Sequence, residues 1–205
     1  MYKFSYYTEQ DDEKVIAFMK ENAFALITGS GEKYPVATQI PLAIKVKEGK
    51  IFLEGHLMKK TDHHLAFEKN NNVLVLFTGP HCFVSASWYT NPSVGSTWNY
   101  LTVHAKGKIS FTDEAGTIKA VKAVSDKYEG TTSEGAFDNL PPEYIDHMVK
   151  AIVGFSIEVE SLDNVFKLSQ NRDEESKKNI IQQLKIRADY NSVMIAEEME
   201  RRLIG

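Results

Sequence analysis

The sequence predicts a mainly β protein, a small barrel with helices around it. Six or more short segments are rich in β-branched and aromatic residues and are bounded by turn residues. Few of the links between them are long crossovers, so the plan is antiparallel. A charged C-terminal stretch repeats apolar residues at helical spacing and needs a surface to cover.

Each element follows from local pattern. Asp11 or Asp12 caps a first helix with Val15, Ile16, Phe18 and Met19 on its apolar face, ending near Glu21-Asn22. Phe24 to Thr28 reads as a strand, and Gly29 to Lys33 as a turn. Pro35 to Val46 reads as a second strand broken at Pro41. Glu48-Gly49-Lys50 turns into a third strand, Ile51 to Gly55. Thr61 or Asp62 caps a helix through about Lys69. Val73 to Phe77 and Phe83 to Trp88 read as two strands separated by a turn at Gly79-Pro80. A loop from Thr90 to Gly95 leads to a long strand, Thr97 to Phe111. Residues 114–128 carry Ile118, Val121, Val124 and Tyr128 at helical spacing, and Pro141-Pro142 opens a helix through about Lys150. Ile152 to Val159 is a strand, and residues 173–205 hold two charged helical stretches. Residues 1–172 are therefore expected to be the barrel domain, with 173–205 as its helical extension.

The 205-residue chain is 42% hydrophobic and 25% charged, an ordinary soluble composition with room for a substantial core. A formal charge of −4 supplies no basic field for nucleic acid or acidic membrane. The lone Cys82 excludes an internal disulfide and fits a reducing, cytoplasmic setting. No apolar run reaches the roughly 20 residues of a membrane span, and the first residues lack a signal-peptide core. Metal binding is not expected: His56 and His63 lie seven apart across a strand–helix junction, with no carboxylate motif beside them. Neither a G-x-S-x-G elbow nor a G-x-G-x-x-G turn is present. His81 and Cys82 would point to opposite strand faces, which argues against a catalytic pair. His104, between Val103 and Ala105, reads as a hydrogen-bonded core histidine.

Three polar clusters stand out. His56 to Leu65 joins a strand end, two lysines and a helix start, which suits phosphate but also suits a solvated, capped loop. Ser85 to Gly107 holds both tryptophans, Trp88 and Trp98, each followed closely by Tyr89 or Tyr100, with Ser85, Ser87, Thr97 and Asn99 interleaved. Buried aromatics with polar tips need partners, so this run is a subunit interface or a platform for a flat polar ligand. Lys167 to Arg172 is a loop and helix cap built on Ser169 or Asn171, or a site where Arg172 forks to a phosphate or flanks an electron-rich ring.

Taken together, five blocks resemble the PaiB family, FMN-binding negative transcriptional regulators of bacteria. They are Gly55-His56-x-x-Lys59, Ser85-x-Ser87-Trp88-Tyr89, Thr97-Trp98-Asn99-Tyr100 through Val103-His104 to Gly107, Ala151 to Gly154, and Lys167-x-Ser169-Gln170-Asn171-Arg172. A wider similarity to pyridoxamine-phosphate-oxidase-like flavoproteins covers Ile51 to Phe77. The resemblance implies an FMN-binding split β-barrel and a homodimer with FMN at the subunit interface. It implies phosphate contacts from His56, Lys59, Lys60 and Thr61. A strand bearing Ser85, Ser87, Trp88 and Tyr89 would flank the flavin, and Thr97, Trp98, Asn99 and Tyr100 would line the same interface. Gln170, Asn171 and Arg172 would close the site, from the same chain or its partner. Family members often have Asn-Pro after the basic residue of the first block, where this chain has Lys60-Thr61-Asp62. The 90–96 loop also looks short.

A flavin-dependent oxidoreductase acting on a small molecule is the alternative implied by the wider similarity, and a structural dimer with an empty site is a third. Direct DNA binding has no support from charge, and the last helix carries Glu197, Glu198 and Glu200.

Overall fold

Alternating burial along the chain defines the strands of the computed structural model, which describes residues 1–2 and 4–204. The strands are β1 (Phe24–Gly29), β2 (Val36–Pro41), β3 (Ala43–Lys47), β4 (Lys50–Met58), β5 (Asn72–Val84), β6 (Thr97–Phe111) and β7 (Ile152–Lys167). The helices are α1 (Asp12–Glu21), α2 (Asp62–Lys69), α3 (Glu114–Tyr128), α4 (Pro142–Ala151), α5 (Glu174–Arg187) and α6 (Tyr190–Ile204). None is long and apolar enough to cross a membrane.

The chain forms two compact units. One comprises residues 19–77 and 104–162 and holds the barrel. The strand order is β2-β1-β5-β6-β7-β4-β3, and the registered pairs β1–β2, β1–β5, β3–β4 and β4–β7 are all antiparallel. β2 and β3 are consecutive in the chain yet occupy opposite edges, joined by Leu42 alone. A one-residue link can connect two edges only if the sheet curls until they meet. Leu42 is 2% exposed, and its N–H donates to Ala23 O at 2.9 Å. Ile27, Leu53, Val75, Phe77, Phe155 and Ile157 fill the interior with almost no exposed surface. Each contributes about 1.5–3 kcal/mol through burial. This is the mainly β split-barrel class that the sequence predicts.

Closure brings backbones close together. A Cβ on Gly55 would lie 3.1 Å from Leu42 Cδ2 and 3.3 Å from Pro41 O. A Cβ on Gly107 in β6 would lie 2.2 Å from Glu158 O in β7.

The second unit comprises residues 1–18, 78–103 and 163–205. Here α5 and α6 cover one another's apolar faces, burying Ile180, Ile181, Leu184, Ile195, Ala196 and Met199. Ala188, at φ 59°, makes the left-handed turn between them. The cap of α5 is Asp173, not Ser169 or Asn171, since its carboxylate lies where the first-turn N–H of Ser176 points.

Three strand expectations need correction. Gly79-Pro80 does not divide β5, which runs unbroken through 13 residues. β1 pairs with β5 only from Gly29↔Val73 to Leu26↔Leu76, so Pro80 lies beyond that ladder and its missing N–H is not needed there. The strand then stops at Val84, and Ala86–Trp88 is a 3₁₀ turn. Ser85 Oγ caps that turn by accepting from Ser87 N–H, a local bond that competes with strand pairing. β7 also runs on past Val159 to Lys167.

Two predictions follow from these contacts. Gly107→Ala should destabilise the protein by roughly 1–3 kcal/mol or more, because backbone must move to admit the methyl. Urea unfolding checks this, and an unchanged midpoint would mean the β6–β7 approach is slack. The second concerns acid. Asp173 accepts from Ser176 N (2.8 Å), Ser176 Oγ (2.7 Å) and Thr90 Oγ1 (3.0 Å), which hold its pKa down to about 2 from 3.8. A depressed folded pKa gives stability that is full above about pH 4 and is lost as pH falls toward 2. Asp173→Asn retains a capping oxygen without the titration. Thermal melts should show a flatter decline between those pH values than in wild type, and identical declines would assign the acid limb elsewhere.

Candidate functional site

In the barrel unit, β4 carries His56 to the turn before α2. Burial pushes the His56 pKa below the ordinary imidazole value, favouring the neutral ring, and its buried Nδ1 has no hydrogen-bond partner. Lys60 takes φ 66°, which bends the chain sharply from strand to helix. Its N–H donates to His64 Nδ1 at 3.3 Å, supporting the strained position, while its side chain is exposed.

Other groups of this block are engaged within the protein. Lys59 Nζ donates to Val149 O at 2.8 Å, and Lys59 N–H donates to Ala151 O at 2.9 Å. Lys59 thus satisfies carbonyls at the end of α4, where a cation also complements the helix dipole. Thr61 Oγ1 donates to Met58 O (3.0 Å), accepts from His64 N–H (3.3 Å) and lies 2.9 Å from His63 Nε2. Asp62 Oδ1 accepts from His63 N–H at 2.8 Å. The first turn of α2 therefore already has two amides occupied.

In the second unit, the 3₁₀ turn positions Trp88 and Tyr89. The Arg187 guanidinium lies 4.8 Å from the Trp88 ring centre and donates to Phe83 O at 2.8 Å. This pins the turn to the end of α5. Ser85 Oγ and Ser87 Oγ bond each other at 2.8 Å. Arg172 lies 4.3 Å over the ring of Tyr89, within cation–π range. Tyr89 is 6% exposed, and its hydroxyl is buried without a partner.

β6 alternates in burial, which sends Trp98 and Asn99 to different fates. Asn99 is fully buried, accepting from Ser169 Oγ at 3.0 Å and donating to Met199 Sδ at 3.6 Å. Its amide ties β6 to the Lys167–Arg172 segment and to α6. Trp98 is 54% exposed and meets Phe83 edge-on at 6.2 Å, with His81 also 6.2 Å away. Such an open aromatic cluster is unusual on a solvated face and suits a ligand or a partner. Burial, with Tyr2 nearby, raises the pKa of half-buried Tyr100. Gln170 folds back on its own segment: Oε1 accepts from Leu168 N–H at 2.7 Å and Nε2 donates to Phe166 O. Asn171 is exposed. Cys82 is buried and its thiol is pushed up to about 11, so it is a core group. His104 is half-buried and partnered.

Reading from sequence passed over Tyr2 and Tyr7 here. Lys167 donates to Thr97 Oγ1 at 2.6 Å and lies 5.6 Å and 5.8 Å from the rings of Tyr2 and Tyr7. The recurrence of tyrosine at positions 2, 6 and 7 was the available signal.

The donor set fits a flat polar cofactor with an anionic tail. Among the described residues, three buried side-chain polar atoms lack partners: His56 Nδ1, Tyr89 Oη and Thr112 Oγ1. Buried polar groups are rarely left unmet, so each such atom is a place for a water or a ligand group. Two of the three belong to residues that the family resemblance assigns to FMN.

Comparison with known proteins agrees. Residues 1–161 match the family described as "Putative FMN-binding domain". Over 204 residues, 99% of this chain and 98% of the relative, the sequence is 34% identical to Protease synthase and sporulation protein PAI 2 of Bacillus subtilis (strain 168). Among solved structures, the flavocytochrome Anf3 from Azotobacter vinelandii superposes with a TM-score of 0.63 at 15% identity, covering 87% of this chain and 78% of that one. The FAD and heme binding protein from Mycobacterium smegmatis gives 0.61 at 14% identity, covering 83% and 78%. At such identities these two show a shared fold. With the domain matched along most of its length and a relative aligned almost end to end, the chain belongs to the PaiB family of FMN-binding proteins.

Proposed function

We propose that this protein is a homodimer that uses bound FMN to regulate transcription in a bacterial cytoplasm. The observation that carries the cofactor part is the pair of buried, unpartnered atoms on His56 and Tyr89. A flavin offers carbonyl, ring-nitrogen and phosphate groups that would satisfy them. In this reading His56, Lys60 and Thr61 serve the phosphate end, with Lys59 joining them if it releases Val149 O. Trp98, Tyr100 and the Ser85–Tyr89 turn serve the ring, and Thr97, Asn99 and Gln170 hold that wall in place. Asn171 closes the site, with Arg172 beside it.

The dimer is supported by the exposed Trp98–Phe83 pair, since aromatic side chains open to solvent are typical anchors of subunit interfaces. The regulatory role is supported by the Bacillus relative, whose name concerns protease synthesis and sporulation. The net charge of −4 disfavours unaided DNA binding. Control through a protein partner, or through a local basic patch in the dimer, fits that balance better.

Titration with FMN should give a saturable change in flavin absorbance and a rise in melting temperature. Trp98→Ala should weaken FMN binding at least tenfold and shift the dimer toward monomer in sedimentation, without loss of folded structure. A flat FMN titration would remove the cofactor reading. Full FMN affinity in a monomeric Trp98→Ala would separate the cofactor from the interface. Turnover of NADH or NADPH with FMN and an acceptor would favour the oxidoreductase instead.

A further inference from the structure

Both ends of α5 are tied to the candidate ring wall. At its start, Thr90 Oγ1 donates to the cap Asp173 at 3.0 Å, and Thr90 N–H donates to the buried Ser176 Oγ at 3.0 Å. At its last residue, the Arg187 guanidinium lies 4.8 Å from the Trp88 ring centre and donates through Nη1 to Phe83 O at 2.8 Å. α6 is tied to the neighbouring strand, where the buried Asn99 amide donates to Met199 Sδ at 3.6 Å. All of these groups belong to the second unit.

The ties meet at Arg187. Its Nη1 also lies 3.4 Å from the hydroxyl of Ser192, a fully buried residue whose N–H and hydroxyl are both held by Asp189. Ala188, between these elements, is left-handed at φ 59°, so the turn follows one defined path. One planar guanidinium thus serves the end of β5, the Trp88 ring and the start of α6. If one of these partners moves it, its geometry to the other two changes. Ile186 and Tyr190, beside this junction in the chain, are exposed.

We infer that Arg187 couples the flavin wall to the C-terminal helix pair, so that FMN seated against the Ser85–Tyr89 turn alters the turn between α5 and α6. The coupling rests on the FMN reading above and adds a route by which occupancy reaches the surface, at Ile186 and Tyr190. Arg187 acts through Trp88 and is a positioning residue. A ring seated at the 3₁₀ turn shifts Trp88, the guanidinium follows, and its share in Ser192 changes. Linkage makes the effect reciprocal: an altered helix turn changes FMN affinity by the factor with which FMN alters the turn.

Amide hydrogen exchange of residues 186–192, with and without saturating FMN, tests this alongside FMN affinity from flavin absorbance. In wild type, FMN should change exchange in that segment roughly fivefold or more. Arg187→Gln should abolish the response and weaken FMN binding about fivefold or more. Arg187→Lys should lose less of both, because an ammonium still donates to Phe83 O but does not lie flat on Trp88. Lys185→Met, which removes an exposed pair with Glu200, should alter neither. The coupling is overturned if FMN binds wild type and leaves exchange at 186–192 unchanged. It is equally overturned if Arg187→Gln binds FMN weakly yet keeps the exchange response, since Arg187 would then only brace Trp88, or if Lys185→Met behaves like Arg187→Gln. Should Arg187→Gln fail to fold, Arg187→Lys decides by the same two readouts. A flat absorbance titration in wild type removes the FMN reading and the coupling with it, whereas saturable absorbance with static exchange removes the coupling alone.

Discussion

The barrel depends on one short connection. Leu42 joins two strands that lie on opposite edges of the sheet, so the sheet has no choice but to curl. The curl brings those two edges together at Leu42. It also sets where glycine is required. Gly55 leaves space beside Leu42, and Gly107 leaves space beside the Glu158 carbonyl. Once β4 is held in the curled sheet, its end presents His56 and the left-handed turn at Lys60.

The second unit is organised by polar bonds as much as by apolar burial. Asn99, Ser169 and Ser176 are buried polar side chains, and each finds a partner within the unit. The caps Asp173 and Asp189 act alike, each accepting from the N–H and hydroxyl of a serine three residues on. Against that thorough pairing, the buried hydroxyl of Tyr89, with no partner among the described residues, stands apart. Polar groups of this kind raise the energy of a protein that has no ligand.

Much of this was legible in the chain. β6 and α3 are found where hydroxyl-aromatic alternation and helical spacing put them, with bounds at Thr97–Phe111 and Glu114–Tyr128. The α2 cap at Thr61 is also where local chemistry places it. The misreading of β5 has a plain cause. Gly79-Pro80 breaks a strand only where the neighbouring ladder needs the proline N–H, and the ladder's extent is a tertiary fact. Lys59 shows the same limit at the site. Next to Lys60 it reads as a phosphate ligand, but α4 ends close enough for the Val149 carbonyl to hold it. That carbonyl is 90 residues away in sequence, and no local pattern announces it.

By itself the sequence determined the class of fold, the α2 cap, the family and the kind of cofactor. Alternation, capping and motif order are local properties, and local properties survive in one dimension. Only the tertiary structure decided which polar groups remain unsatisfied. Asn99 and Tyr89 look equally available as letters, yet one has its amide bonded to Ser169 and the other has a buried hydroxyl with no partner. The reason is that hydrogen-bond satisfaction depends on what long-range packing brings within about 3 Å of each atom. That outcome separates residues that hold the fold from residues that await a ligand.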